Sequence, residues 1–199
     1  MYRIAALVSG GGTNLQAIID AIASGKLNNV EIAAVISTSH KAYALERAKK
    51  HGINTAVLAK KDFANDELRE TALLQLLSDT GVQLIVLCGC LMVLGSRTVD
   101  AYKNRIINIH PALLPKYGGK GYYGIGVHEA VLAAGETTTG ATVHFVDGGI
   151  DTGSIILQKE VAILADDTPE ILQRRVMQEA EWQILPQAIG MIAEGRIGL

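Results

Sequence analysis

Through roughly the first ninety residues, short apolar runs alternate with stretches of helical periodicity, and the first run breaks into a glycine triplet. Tyr2 to Val8 reads as a strand, interrupted by Ser9-Gly10-Gly11-Gly12-Thr13-Asn14. Leu15, Ile18, Ile19 and Ile22 then recur at helical spacing, with Gly25 at the expected end. The pattern continues with a strand from Val30 to Ser37, a helix from Lys41 to His51 and a short strand from Asn54 to Leu58. A long helix from Asp62 to Ser78 comes next, with Leu68, Ala72, Leu73 and Leu76 on one face. Gln83 to Leu87 is a strand whose apolar run suits the middle of a parallel sheet. Strands joined through helices run parallel with right-handed crossovers, which restricts the fold to an open α/β sheet. Ligands of such sheets bind beyond the carboxyl ends of the strands. Segments 9–14, 88–95, 108–127 and 147–153 are therefore where a site belongs.

After Arg105 the texture changes. Arg105 to Ile109 is apolar and runs into Asn108-Ile109-His110-Pro111, and a glycine- and tyrosine-rich loop extends to about Gly126. Val127 to Ala134 is helical, Thr139 to Val146 and Ser154 to Ile163 read as two antiparallel strands, and one long helix starts at Pro169, bent near Pro186. The expected fold is a mostly parallel, doubly wound, Rossmann-like sheet with an antiparallel C-terminal extension and a long C-terminal helix. A chain of 199 residues with 49% hydrophobic and 19% charged residues suits a single domain that needs no disulfide. Its net charge of −2 argues against nucleic-acid binding through a basic face, yet leaves room for a small anion at one local site. Cys88 and Cys90 form a C-x-C pair with no second pair to complete a zinc site. No secretory leader and no apolar run near the ~20 residues of a membrane span is found, so a cytoplasmic protein without membrane contact is expected.

Three segments carry candidate chemistry. The glycine loop precedes a helix start, where free N–H groups favour an anion and glycine lets a ligand approach the backbone. A tight turn with Thr13 and Asn14 as caps is the alternative. The loop fits neither the Walker nor the G-x-G-x-x-G pattern. Asn108 and His110 are two apart on an extended segment, so both point to one face at a strand's end. An amide and an imidazole there can stabilise an oxyanion and exchange a proton with it, or the histidine simply ends a strand. Asp147 and Asp151 lie in the run His144-Phe145-Val146-Asp147-Gly148-Gly149-Ile150-Asp151-Thr152-Gly153. An acid from this loop beside His110 is expected to raise its pKa and keep it protonated near neutrality; both acids also suit a turn. His144 reads as a buried supporting residue, and His128 as near the site.

These segments, in this order, resemble the formyltetrahydrofolate-dependent formyltransferases. The similarity runs nearly end to end, from Ser9-Gly10-Gly11-Gly12-Thr13-Asn14-Leu15-Gln16 to Glu181 and Pro186. Its most specific parts are Asn108-Ile109-His110-Pro111-Ala112-Leu113-Leu114-Pro115 and the run from Val143 through Asp151-Thr152-Gly153. The resemblance implies that the amine of glycinamide ribonucleotide attacks the formyl carbon of 10-formyltetrahydrofolate, with no metal. It implies that Asn108 holds the formyl oxygen, His110 donates a proton to it, and Asp151 tunes His110. The ribonucleotide would be held by Gly11, Gly12, Thr13, Asn14, Gln178 and Glu181. The folate would lie between Leu91, Met92, Val93 and Leu94 on one side and Asp147, Gly148, Gly149, Ile150 and Asp151 on the other, with Asn108 beneath. On this reading residues 1–100 hold the nucleotide phosphate and residues 101–199 the folate and the catalytic set. The partners are small molecules, and the protein is a monomer or a homodimer.

Departures from the family gather around the folate. An aromatic, Met, Arg sequence is replaced by Cys90, Leu91 and Met92, and Asp66 stands near the place of a second Arg. The loop from Gly118 to Val127 is longer, with Tyr122 and Tyr123 added, and Gly148 and Ser154 replace an acid and a proline. Lys116 or Lys120 is expected to take over contact with the folate's glutamate tail. Related family members carry attachments outside the shared core: an RNA-binding domain in methionyl-tRNA formyltransferase, a regulatory domain in formyltetrahydrofolate hydrolase. With the chain running from Tyr2 to Leu199 as core, a small-molecule amine is the expected acceptor. A non-catalytic binder is the competing class, but all three catalytic positions are filled.

Overall fold

A computed structural model describes residues 1–197. Seven strands form one sheet in the order β3-β2-β1-β4-β5-β6-β7. They are β1 (Tyr2–Val8), β2 (Val30–Ser37), β3 (Thr55–Val57), β4 (Leu84–Leu87), β5 (Ile106–His110), β6 (Thr138–Phe145) and β7 (Ile155–Ala162). Strands β1 to β5 pair in parallel, and β6 and β7 extend the sheet antiparallel. Alternate residues of each central strand enter different cores. Ile4, Ala6 and Val8 of β1 join one with α1 (Thr13–Ala23), while Ala5 and Leu7 join the other with Leu73 and Leu77 of α3 (Asp66–Asp79). Strand β4, covered on both faces, is buried throughout, which is why its sequence shows no alternation.

Helix α2 (Tyr43–Lys50) sits on the α1 side, and α4 (Ser96–Ala101) lies on the α3 side between β4 and β5. The chain order reverses between β1 and β4, and the loops leaving their carboxyl ends open a crevice there. Helix α5 (Ile125–Ala133) comes after the long loop, and α6 (Pro169–Val176) and α7 (Trp182–Ala193) close the chain.

Three expectations need correction. Helix α3 starts at Asp66, because the Asn65 side chain caps it by accepting the Leu68 N–H, and Lys60–Asp62 forms a separate 3₁₀ turn. Leu73 and Leu77 are buried in the core with Ala72 and Leu76 packed against it, as expected for Ala72, Leu73 and Leu76, but Leu68 is exposed. The irregularity in the C-terminal helix lies before Pro186, as a π-helical turn over Met177–Glu181. Helix α4 was not expected, since of its six residues only Thr98 is buried and no apolar period announces it.

Candidate active site

Strand β5 carries Asn108 and His110 to its carboxyl end on one face. Pro111 then stops the strand, and the turn after it is held by Thr142 of β6, whose hydroxyl donates to the Ala112 carbonyl at 2.6 Å and accepts from the Leu114 N–H at 3.1 Å. Antiparallel pairing sets His144 of β6 directly opposite Asn108. The Asn108 Nδ2 consequently lies 3.1 Å from His144 Nε2. His144 Nδ1 is 2.8 Å from the Phe145 carbonyl oxygen, which can only accept. That contact places a proton on Nδ1, and Nε2 faces both Asn108 and Asp151.

Asp151 arrives from the β6–β7 loop. Its backbone is left-handed at φ 56°, a conformation Asp tolerates better than most residues. The loop is folded tightly: Asp147 accepts from the Gly149 N–H at 2.9 Å and the Thr152 hydroxyl at 2.6 Å, and a Cβ at Gly153 would run into the Phe145 carbonyl. Asp147 is thus a turn former, whereas Asp151 faces the reacting groups. Its Oδ2 accepts from the Gly119 N–H at 2.9 Å and lies 3.5 Å from His110 Nδ1. Its Oδ1 lies 3.5 Å from both His144 Nε2 and Asn108 Nδ2. Burial pushes the Asp151 carboxyl up, but the His144 side chain, the Gly119 N–H and the positive character of His110 outweigh it and hold it below the usual carboxylate range.

His110 is 4% exposed. Its Nε2 lies 2.7 Å from the Tyr117 carbonyl oxygen, which places one proton on Nε2. A second proton therefore enters at Nδ1, facing Asp151. The expectation that Asp151 keeps this ring protonated is corrected. Burial is the largest influence and lowers the His110 pKa; Asp151 and the Tyr117 carbonyl push upward, His144 pushes down, and the net shift is below the ordinary 6.5. Behind it, His128 of α5 is fully buried with both ring nitrogens unpartnered, and burial with the nearby His110 lowers its pKa to about 4.

At the other end of the cavity stands the loop from Gly10 to Asn14. Gly12 caps α1 with φ 73° and no side-chain cap bond, and a Cβ there would stand 2.6 Å from the Ala44 Cβ. Among the described residues, the N–H groups of Gly11, Gly12, Thr13 and Asn14 meet no acceptor. Asn14 uses its side chain to donate to Glu181 Oε2 at 2.6 Å. Burial pushes the Glu181 carboxyl up to about 7, against the lowering effect of that bond. Helix α6 brings Gln173 to the cavity and the π turn after it brings Met177 and Glu181, while Gln178 is exposed and outside its lining.

The two ends share one cavity of about 930 Å³. One wall is Leu91 to Leu94, with Leu91 and Val93 strongly exposed and Met92 resting on the α3-side core; the other is Asp147 to Asp151. Lys120 is the only Lys or Arg among the lining residues, and Lys116 is engaged with Glu136 at 2.9 Å. The structure thus brings together every candidate except Gln178, and adds His144, His128, Gln173, Met177 and the Tyr117 carbonyl. Of these only His144 and His128 carried a sequence signal. Chemically, the constellation offers an amide donor, a proton carrier and a fixed carboxylate around one point, with unpaired backbone donors further along.

Comparison with known proteins places the chain. The family model described as "Formyl transferase" matches residues 2–189. "Phosphoribosylglycinamide formyltransferase" of Haemophilus influenzae is 41% identical over 199 residues, covering 100% of this chain and 91% of that protein. "Trifunctional purine biosynthetic protein adenosine-3" of Drosophila melanogaster is 41% identical over 194 residues, and this chain spans 14% of its length while 97% of this chain is matched. Among solved structures, glycinamide ribonucleotide transformylase 1 from Symbiobacterium toebii superposes with a TM-score of 0.93 at 40% identity, covering 100% of this chain and 91% of that one.

Proposed function

The chain belongs to the formyl transferase family, and from that premise we propose that it transfers the formyl group of 10-formyltetrahydrofolate to the amine of 5′-phosphoribosylglycinamide, in purine biosynthesis. The observation that carries this reading is the convergence of Asn108, His110 and Asp151 at the end of β5, in the same cavity as the unpaired N–H groups of Gly11 to Asn14.

Each part of the cavity has its own task. The phosphate lies on the N–H groups of Gly11, Gly12, Thr13 and Asn14, backbone donors at a helix start. Glu181, steadied by Asn14, accepts from ribose hydroxyls. The exposed Leu91 and Val93 form an apolar wall for the pterin, opposite Asp147 to Asp151. Lys120 lines the cavity with no carboxylate at ion-pair distance among the described residues, which suits it to the folate's glutamate. Residues 1–100 and 101–199 then act as the phosphate half and the folate and catalytic half.

An amine needs no serine or cysteine to activate it, so the demands are positioning, charge stabilisation and proton transfer. As the amine nitrogen bonds to the formyl carbon, negative charge grows on the formyl oxygen. Asn108 meets that oxygen with an Nδ2–H, since the Nδ2 contact with Asp151 Oδ1 is long, at 3.5 Å. His110 gives its Nδ1 proton to the developing oxyanion, and Asp151 favours the protonated ring from which it comes. The carbonyl then re-forms, returning its proton to His110 Nδ1, as the carbon–N10 bond breaks. The amine loses one proton and N10 gains one, so the reaction is proton-neutral overall. Two free cysteines suit a reducing compartment, and we assign the protein to the cytoplasm. No helix among the described residues is long and apolar enough to cross a membrane.

The test is formyl transfer from 10-formyltetrahydrofolate with 5′-phosphoribosylglycinamide present and absent. Consumption of the folate only with the amine supports transfer. Release of formate at an equal rate without the amine indicates a hydrolase instead.

A further inference from the structure

We propose that Arg47, outside the cavity, is a positioning residue for the substrate phosphate, acting through the peptide planes of the glycine loop. This rests on the assignment of the phosphate to that loop and goes one step further, to what orients the donors.

Helix α2 grips the loop at three consecutive residues. The Ala44 N–H donates to the Gly10 carbonyl at 3.1 Å, the Arg47 Nε–H donates to the Gly11 carbonyl at 2.8 Å, and Ala44 fills the space where Gly12 lacks a Cβ. In a trans peptide the C=O and the next N–H point in opposite directions. Drawing the Gly10 and Gly11 carbonyls toward α2 therefore turns the N–H groups of Gly11 and Gly12 away from it, alongside those of Thr13 and Asn14 at the start of α1. Successive N–H groups aimed at one side make an anion-binding concavity. Because Lys120 is the only cationic side chain lining the cavity, backbone donors carry most of the attraction for a phosphate, and their orientation decides its strength.

Arg47 is itself well held. Its second nitrogen donates to Gln16 Oε1 at 3.0 Å, and its guanidinium carbon lies 5.1 Å from the centre of the Tyr43 ring. No carboxylate of the described residues forms an ion pair with it. Its charge is therefore uncompensated directly behind the loop, where it adds to the field that favours an anion. The planar fork is what lets one side chain hold both the Gly11 carbonyl and Gln16; an ammonium group cannot reproduce it.

The experiment compares wild type, Arg47→Met and Arg47→Lys on 5′-phosphoribosylglycinamide and on the same substrate without its phosphate. For Arg47→Met the KM for the phosphorylated substrate should rise about tenfold or more, with kcat and the KM for the folate changed about twofold at most, the pattern of a lost binding interaction. With the phosphate-free substrate the variant and wild type should be equal. Inorganic phosphate, as a competitive inhibitor, should weaken about tenfold in parallel. Arg47→Lys, which keeps the charge, guards against a misfolded Met variant and should show a smaller loss confined to the same substrate. Equal losses on both substrates would make Arg47 merely structural and overturn the proposal. So would undiminished preference for the phosphorylated substrate in both variants. If wild type itself shows no preference for the phosphorylated substrate, the phosphate assignment fails first, and independently of Arg47.

Discussion

The two ends of the cavity are made of different material. At one end, between Gly10 and Asn14, binding groups are backbone N–H donors, oriented by α2 and by the start of α1. At the other, Asn108, His110, His144 and Asp151 present side chains from β5, β6 and the loop beyond β6. The backbone end depends above all on what sets its peptide planes. The side-chain end depends on each group, because every one supplies a different chemical function to one point. It also carries the cost of burying three histidines and a carboxylate together.

The strongest way to break this contrast is at the side-chain end. Asp151→Asn keeps shape and removes charge, so the His110 pKa falls still lower and less of the acid form exists at neutral pH. We expect kcat to fall about 10²-fold or more, with KM for either substrate much less affected. His110→Ala should behave alike, and the double variant should cost far less than the product of the single losses. Near-normal kcat for Asp151→Asn from about pH 6 to pH 9, a range that spans the reference histidine pKa of ~6.5, would reduce Asp151 to a loop former.

Next in size is the burial cost at His128. Unfolded, it takes up a proton near pH 6.5; folded, near pH 4. Above that window both states are neutral. Within it the unfolded state alone is protonated, so stability falls with falling pH by about 1.4 kcal/mol per unit, to about 3 kcal/mol in all. Urea unfolding of His128→Leu should match wild type within about 1 kcal/mol at pH 7, since both ring nitrogens lack partners. At pH 4.5 the variant should be the more stable. Parallel pH dependence in the two proteins would show that His128 is protonated in the fold.

The backbone end is tested by a single methyl group. Gly12→Ala meets Ala44 and a left-handed φ, so the loop must shift. The KM for the nucleotide should rise about tenfold, equivalent to about 1.4 kcal/mol, within the range of a strained φ and a lost close contact. An unchanged KM would mean that the loop's geometry is not what binds. Smallest is Met92→Arg on the folate wall. Its stem can lie where Met92 packs and its head can reach solvent, so folate binding should tighten by about 1 kcal/mol at most, the scale of an exposed ion pair, with kcat unchanged. A large loss of folate affinity would show that Met92 itself packs on the ligand.

Much of this architecture was legible in the order of residues. An apolar run broken by glycine located the carboxyl end of β1, Pro111 located that of β5, and the two-residue spacing of Asn108 and His110 put them on one face. The pairing of Asn108 with His144 was not legible, because register between strands separated by a long loop depends on the folded sheet. Nor was the direction of the His110 shift: Asp151 as a neighbour can be inferred, whereas the depth of burial that outweighs it is a property of packing. Leu68 misled because helical spacing does not reveal where Asn65 starts the helix. The widened turn at Met177–Glu181 was not legible either, since residue spacing assumes a uniform helix.

That uneven turn has a consequence for how the molecule tolerates insertions and deletions. A regular α-helix advances about 100° per residue, at 3.6 residues per turn. A π turn accommodates an additional residue without rotating the downstream helix by that angle. Met177–Glu181 therefore works as a phase adjuster between two helices: α6 is set by its packing, α7 by its own contacts with α1, and the wide turn absorbs the mismatch while presenting Glu181 to Asn14. Removing one residue there would convert the segment to ordinary helix and leave α7 with two incompatible choices. It could keep its seat against α1 and pull Glu181 out of line, or keep Glu181 and turn its buried face, Leu185 and Ile189, away from the core. A surplus residue in the helix is thus what allows one continuous segment to serve both a hydrophobic seam and a polar contact.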